Sequence, residues 1–384
     1  MGKVSVLEVS SIRNQSVELF TGTKKYVATG DVDEQAIETF TEITYNNRPS
    51  RANIEVKLGQ VLFARMKGTN KVIQIDESNQ DYIYSTGFCV LEPSELVTAD
   101  YLRVFLKSDL FQIQKDKHSK GATQKAINNE GISKIKIPLP PLEIQKKIVE
   151  ALDKAQALID ARKEQIRLMD ELVKSRFVEM FGDPYLNPKR WKVSTLKKVA
   201  KRLSDGPFGS NLKSEHYCDC GVRVIRLQNI GTGIFIDKDK AYVSYKHYEK
   251  IKKYTCYPGD VLIGTLGEPN LRACILPDSI EKAINKADCV HYVPDENFIN
   301  QEFICQYINS HEVMNFTADK IHGQTRSRIS SGQVAQIPIY LPPIQLQNQF
   351  RNFKNQVKRS KLIIQNSLNE LIITQQALMQ QYFG

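Results

Sequence analysis

The sequence predicts an α+β fold of two mixed α/β blocks separated by two long helices, the helices pairing as an antiparallel coiled coil in a pseudo-two-fold internal repeat. Two observations predict this. The chain repeats itself at one constant offset, and each copy ends in a helix-length stretch free of Gly and Pro. Gly121-Ala-Thr-Gln-Lys-Ala-Ile127 is echoed by Gly323-Gln-Thr-Arg-Ser-Arg-Ile329, an offset of 202 residues. The same offset carries Leu139-Pro-Pro-Leu-Glu-Ile-Gln145 onto Leu341-Pro-Pro-Ile-Gln-Leu-Gln347, and Phe181-Gly182 onto Phe383-Gly384. The chain therefore reads as a first block at 1–138, a helix segment at 139–182, a second block at 183–340 and a second helix segment at 341–384.

Within the first block, Val56–Ala64 reads as a turn leading into a buried strand. Lys71–Ile75 alternates, and Gly87–Leu91 is a further strand. Ala99–Lys107 places Leu102, Phe105 and Leu106 at helical spacing. The second block repeats the order, with a turn and strand at Tyr257–Gly264 and a helix at Glu302–Ser310. After Pro140-Pro141, whose fixed φ suits a helix's first turn, neither Gly nor Pro appears before Gly182. Ile148, Leu152, Ala155, Ile159, Arg162, Ile166, Met169, Val173, Arg176 and Met180 alternate steps of four and three, which is a heptad seam. At ~1.5 Å per residue, such a helix is a rod of roughly 60 Å. The second copy places Phe350, Lys354, Val357, Lys361, Ile364, Leu368, Leu371, Gln375, Leu378 and Tyr382 on its seam. Lys354 and Lys361 put two charges on that seam, so it is the more polar of the two. Arg162 and Arg176 are expected to snorkel or to pair across the seam.

Composition bounds the function. Hydrophobic residues make up 41% of the 384 and charged residues 25%, which is ordinary for a globular protein. No apolar run approaches the ~20 residues of a membrane span. Met1-Gly-Lys-Val-Ser-Val has no signal-peptide core, so a cytoplasmic protein is expected. Seven scattered cysteines make no disulfide framework, and Cys218-Asp-Cys220 lacks companions at metal-ligand spacing, so no metal site is expected. The net charge of +10 points to an anionic partner. Its excess lies in the second half and, locally, in 115–136, where Lys115, Lys117, Lys120, Lys125, Lys134 and Lys136 face only Asp116 and Glu130.

Catalytic signatures are missing. The chain has no phosphate loop, dinucleotide fingerprint, zinc-protease helix or nucleophile elbow. It also lacks the Asn/Asp-Pro-Pro-aromatic tetrapeptide of amino-methyltransferases. Asp205-Gly-Pro-Phe-Gly-Ser210 is Gly-rich, but Pro207 removes an amide that a phosphate cradle would use, so a tight turn is expected there. No catalytic residue is assigned. Candidate binding residues lie in the repeated Gly-x-Thr loop: Lys120, Thr123, Gln124 and Lys125 in the first copy, and His322, Thr325, Arg326 and Arg328 in the second. Gln, Arg and Lys make forked contacts to base edges, whereas Thr and backbone amides hold phosphates. A solvated loop closing a domain would use the same residue types. Tyr242, Tyr245, Tyr248, Tyr254 and Tyr257, interleaved with lysines, allow either a nucleic-acid face or an ordinary surface.

In duplicated order these features resemble the specificity subunit of a type I restriction–modification system. The carrying features are two divergent blocks, each closing on Gly-x-Thr-x₃-Ile and a Leu-Pro-Pro lead, then a long helix ending in Phe-Gly. Asp205–Ser210 also resembles the opening of many target recognition domains, an opening the first block lacks. The resemblance implies that each block is a target recognition domain reading one half of a bipartite site in double-stranded DNA. It also implies that the helices space the half-sites and dock two methyltransferase subunits, with restriction (nuclease/translocase) subunits joining where the system has them. The chain itself would be non-catalytic and bind no cofactor, with S-adenosylmethionine, ATP and magnesium on the partner subunits. Partner contacts are expected along Ile148, Leu152, Ile159, Ile166, Met169 and Val173 of the first seam, and along Phe350, Val357, Ile364, Leu368, Leu371 and Leu378 of the second. Two other classes remain: a coiled-coil adaptor with no DNA role, and the recognition part of a methyltransferase–nuclease enzyme.

Overall fold

The structure is a computed structural model and describes residues 2–33, 36–184, 186–267, 269–310, 313 and 328–384. The chain divides into two compact units, Met1–Glu164 with Gln365–Gly384, and Gln165–Ile364. The long helices, α5 (Leu142–Phe181) and α9 (Ile344–Phe383), are 40 residues each and contribute a half to each unit.

In the first unit, β1 (Lys3–Ser5) pairs with β12 (Lys136–Pro138) and leads into the short α1 (Val6–Val9). A central sheet runs in the order β2 (Ser10–Ile12), β11 (Phe88–Pro93), β8 (Val61–Ala64), β9 (Val72–Gln74). An outer sheet runs β6 (Thr41–Ile43), β3 (Lys24–Val27), β10 (Ile83–Ser85), β7 (Ala52–Ile54), with a small ladder of β4 (Val32–Asp33) and β5 (Ala36–Ile37) beside it. Helices α2 (Ala99–Lys107), α3 (Asp109–His118) and α4 (Asn129–Ser133) follow. Every residue of β8 is buried, which is why it reads as a continuous apolar run.

The second unit repeats the plan. β13 (Lys192–Thr195) pairs with β23 (Pro338–Leu341). Its central sheet is β14 (Ala200–Ser204), β22 (Cys289–Pro294), β19 (Val261–Gly264), β20 (Arg272–Ile275), the same order strand for strand. Its outer sheet is β17 (Ala241–Val243), β16 (Val222–Ile225), β21 (Ala283–Asn285), β18 (Thr255–Cys256), with β15 (Tyr217–Cys218) added at the edge. Each outer sheet carries one parallel pair, β3 with β10 and β16 with β21. Helices α6 (Tyr245–Ile251), α7 (Gln301–Ile308) and α8 (Ser331–Ala335) complete the unit. The first fifty residues, which lack the Asp205–Ser210 type of opening, supply strands β2, β3 and β6 equivalent to β14, β16 and β17 of the second block.

The Pro-Pro lead fixes each long helix through one glutamine. The Gln145 side chain is fully buried; its Oε1 accepts from Thr98 N–H at 3.1 Å, and its Nε2 donates to the carbonyls of Leu96 at 2.9 Å and Pro140 at 3.0 Å. Gln347 does the same in the second unit, accepting from Asn300 N–H at 3.0 Å and donating to Phe298 and Pro342 at 2.9 Å each. Thr98 and Asn300 are the N-caps of α2 and α7, so one amide ties two helix starts together.

Within each unit the two helix halves run antiparallel. In the first unit, Ile148 and Leu152 share a core with Leu378, Met379, Tyr382 and Phe383, and Gln375 Nε2 donates to Gln156 Oε1 at 2.9 Å. In the second, Phe177 packs on Phe350 at 5.3 Å, and Lys361 meets Asp170 at 2.6 Å. Ile148, Leu152, Ile159, Val173, Phe350 and Leu368 are buried, and Ile166, Met169, Val357, Ile364, Leu371 and Leu378 are half-buried. The seam lysines each take an acid: Lys361 takes Asp170, and Lys354 takes Glu302 of α7 at 2.8 Å. Burial opposes the Lys354 charge, but Cys305 and Glu302 outweigh it and hold its pKa above the usual value. Arg176 pairs with Glu179 of its own helix and lies over the Phe353 ring.

The last residues of each helix are core, which heptad counting misses. Phe383 is buried against Tyr101 and Phe105 at 5.5 and 5.9 Å, and Phe181 against Phe303 and Phe350 at 4.7 and 5.6 Å. Trp191, the single tryptophan, donates from Nε1 to the Phe181 carbonyl at 2.8 Å. Phe383→Ala is expected to destabilise the first unit by about 3–5 kcal/mol, read as a fall in the urea midpoint by far-UV circular dichroism. Phe181→Ala should do the same to the second unit, read through Trp191 fluorescence. Unmoved midpoints would mean that these rings are not core.

Candidate nucleic-acid interface

In the first unit the Gly-x-Thr loop is a closed finger. Lys120 and Ala126 exchange two backbone hydrogen bonds of 3.0 Å at its base. Gly121 turns the chain at φ +136°, and a Cβ there would lie 2.4 Å from the Gln124 carbonyl. Ile127, the motif's last residue, is buried in the core and anchors the finger. Arg65 braces it from below, donating to the carbonyls of Phe88 and Ile127 and to Asn129 Oδ1.

Thr123, Gln124 and Lys125 are exposed at the tip, and their side chains have no partner among the described residues. Their donors are free for a ligand. Lys120 differs, because its ammonium lies 3.6 Å from Glu130, whose other cation, Lys134, is at 2.6 Å. Those two lysines, Lys134 foremost, hold the Glu130 carboxyl below its usual pKa. Lys120 therefore offers a partly compensated charge.

In the second unit Arg328 stands where the first has Ala126. Its backbone bridges to Leu266 as Ala126 bridges to Met66, and its guanidinium meets Asp288 at 2.7 Å. Ile329 is buried, as Ile127 is, and its N–H donates to the Thr265 carbonyl at 3.1 Å. His322, Thr325 and Arg326 lie outside the described residues.

The other sequence features resolve into structure. Gly206 lies against the Asn285–Lys286 backbone, where a Cβ would come within 2.3 Å of the Asn285 carbonyl, so its glycine serves a close approach. Tyr248 and Tyr254 pack on the outer sheet of the second unit with Lys282 and Lys253 over their rings, while Tyr245 and Tyr257 are exposed. Cys89, Cys256, Cys274, Cys289 and Cys305 are buried, and burial pushes the thiols up, Cys89 and Cys289 to about 12 and Cys305 to about 11. They act as small core hydrophobes. Among the described residues, no three His, Cys, Asp or Glu side chains converge as metal ligands, and no helix is long and apolar enough to cross a membrane.

Sequence reasoning missed the partner of the first finger. The β8–β9 turn, Arg65–Asn70, lies beside it, with Lys67 N–H donating to the Lys125 carbonyl at 2.9 Å. Met66 and Lys67 are exposed there. No linear pattern links residues 66 and 126, because strand pairing brings them together.

Comparison with known proteins agrees with this architecture. The family model of the type I restriction modification DNA specificity domain matches residues 6–168. The specificity subunit of type I restriction enzyme MjaVIII from Methanocaldococcus jannaschii is 22% identical over 312 residues, which is 74% of this chain and 73% of that protein. The EcoKI specificity subunit of Escherichia coli K12 is 25% identical over 185 residues, 46% of this chain and 39% of that one. Among solved structures, a chain from work on complex assembly and conformational transition of the type I R-M system aligns over 100% of this chain and 97% of its own, with a TM-score of 0.64 at 20% identity. The type I restriction–modification S subunit from M. genitalium aligns over 100% and 96%, with a TM-score of 0.56 at 14% identity. The model of the specificity domain thus matches residues 6–168, and the chain shares along its whole length the fold of a type I restriction–modification S subunit of solved structure.

Proposed function

We propose that this chain is the DNA-reading subunit of a type I restriction–modification enzyme, each unit reading one half of a bipartite site in double-stranded DNA. The observation that carries this reading is the duplication of scaffold and loop base together. In both units the residue before the motif's last isoleucine, Ala126 or Arg328, bridges to the turn after the central strand, and that isoleucine, Ile127 or Ile329, is buried. Base reading needs donor-rich loops held at fixed positions, and a bipartite site needs two of them.

On this reading the paired helices set the spacing between half-sites and dock two methyltransferase subunits, with restriction subunits joining where the system has them. Docking is supported by a second apolar set on the helices. Leu158 and Ile373 in the first unit, and Leu168, Leu172, Leu362 and Ile363 in the second, are at least half exposed or nearly so. Chemistry then belongs to the partners, which bring S-adenosylmethionine, ATP and magnesium. The purified chain alone is expected neither to transfer methyl groups nor to cut DNA. Turnover by a preparation free of partner subunits would sink the proposal.

Lys125→Ala and Arg326→Ala are expected to weaken DNA binding by the assembled enzyme. A forked base contact is worth about 1–3 kcal/mol and relaxes preference at one position. A phosphate contact lowers the salt slope by about one unit without changing preference. Parent-like binding and methylation by both variants would make these loops solvated ends.

Replacing residues 183–340 with the matching block of a relative is expected to rewrite one half of the methylated sequence only. Adding or removing a heptad in both helices should keep the seams in phase and shift length by ~10 Å, about three base pairs of spacing at ~34 Å per DNA turn. Methylation-sensitive sequencing checks both. A swap that rewrites both halves, or a heptad change that alters base identity at fixed spacing, counts against independent readers.

A further inference from the structure

The β8–β9 turn of the first unit is held more tightly than a hairpin connection needs. Gly68 N–H donates to Asp116 Oδ1 at 3.0 Å, and Gln112 Nε2 donates to Asn70 Oδ1 at 3.0 Å. The Thr69 carbonyl accepts from the Lys115 ammonium, and the Met66 carbonyl accepts from Thr69 Oγ1 at 2.6 Å. The Met66–Ala126 bridge ties the turn to the finger. Lys115 is only 1% exposed, and burial lowers its pKa to about 8. A cation kept inside against its desolvation cost, and aimed at one surface turn, indicates a turn whose position matters.

What the fixed turn displays is a methionine, 40% exposed and bridged to Ala126, and an exposed lysine whose N–H donates to the Lys125 carbonyl. Neither the Met66 nor the Lys67 side chain has a polar partner among the described residues. The second unit builds the same feature by other means. Leu266 takes the place of Met66, bridged to Arg328. The clasp there is Arg272 from β20, which donates to the carbonyls of Leu266 at 3.0 Å, Pro269 at 2.8 Å, Ile230 at 2.6 Å and Leu227 at 3.1 Å. Two unlike cations therefore fix equivalent turns, each carrying an apolar residue bridged to the residue that closes the motif, Ala126 or Arg328.

We propose that the Arg65–Asn70 turn is a second DNA-reading element of the first unit, with Met66 contacting an apolar base edge such as a thymine methyl and Lys67 a phosphate. Lys115 and Asp116 are its positioning residues. This rests on the DNA-reading function proposed above and adds the residues that complete one reading surface. An apolar side chain next to the thymine methyl discriminates between bases, whereas a lysine on phosphate adds affinity without sequence preference.

The test uses the complete enzyme with its modification subunits, a library of randomised duplex sites and salt-dependent binding. Met66→Ala is expected to relax preference at one or two positions of the half-site read by residues 1–138, leaving the other half as an internal control. Lys67→Ala should lower affinity several-fold and reduce the salt slope by about one unit, with preference kept. Lys115→Met should relax the same positions as Met66→Ala. If it fails to fold, Asp116→Asn, which weakens the hold on Gly68, replaces it. Parent-like site preference and salt slope in both Met66→Ala and Lys67→Ala, while Lys125→Ala is impaired, would overturn the role of the turn alone. If Lys125→Ala and Arg326→Ala are silent as well, the underlying DNA-reading function fails with it.

Discussion

One buried carboxamide in each unit sets the direction of a 40-residue helix. A long helix on a small domain is a lever, so its whole course depends on how its first turn is seated. Gln145 and Gln347 seat it by satisfying the N-cap amide of α2 or α7 and two loop carbonyls at once. Each such group left unpaired in the interior costs about 1–3 kcal/mol, so alternative seatings of the helix are penalised several times over. Pro140-Pro141 and Pro342-Pro343 hold the chain just before this point with fixed φ. The recurrence of Leu-Pro-Pro-x₃-Gln in both copies is the linear trace of that joint.

From the joint outward, the units separate what must stay fixed from what can vary. Central sheet, α2 or α7, and the helix start form one core in each unit. In the first unit the binding candidates project from a loop whose base enters that core through Ile127, and in the second Ile329 is buried at the matching position. Loop tips then change at little cost in stability, because nothing in the core touches Thr123, Gln124 or Lys125. The outer sheets keep their order between units but gain β15 in the second, which fits a layer that tolerates additions at its edge.

Charges inside the molecule follow the same division. Lys354 and Lys361 occupy seam positions that an apolar residue would fill more cheaply, and each is compensated by one acid. A paired charge at a seam position penalises any other register, because shifting the helix would strand the lysine without its carboxylate. Arg65, Arg272 and Lys115 use their donors on backbone carbonyls to hold surface loops. Their work is local geometry.

The sequence by itself determined the duplication, the extents of both long helices, the heptad seams and the buried strand after each Gly turn. All of these are properties of short-range periodicity and of Gly and Pro placement, which a linear reading captures. Only the tertiary structure decided which helix half belongs to which unit. The repeat ends at Phe181-Gly182 and Phe383-Gly384, yet Phe383 is buried with Tyr101 and Phe105 of the first block, and Phe181 with Phe303 of the second. The antiparallel pairing expected of the two helices sets the end of each beside the start of the other, but a heptad pattern does not say which block's core each terminal phenylalanine enters. The equivalence of β2 and β3 with β14 and β16 was also hidden, because strand order is held by backbone pairing that tolerates unrelated side chains. The same holds for the candidate site. Gly121, Lys125 and Ile127 stand together in the chain and were legible as one motif. Met66, Lys67 and Lys115 join them only through the β8–β9 hairpin and α3, a proximity made by hydrogen bonds between residues far apart in sequence.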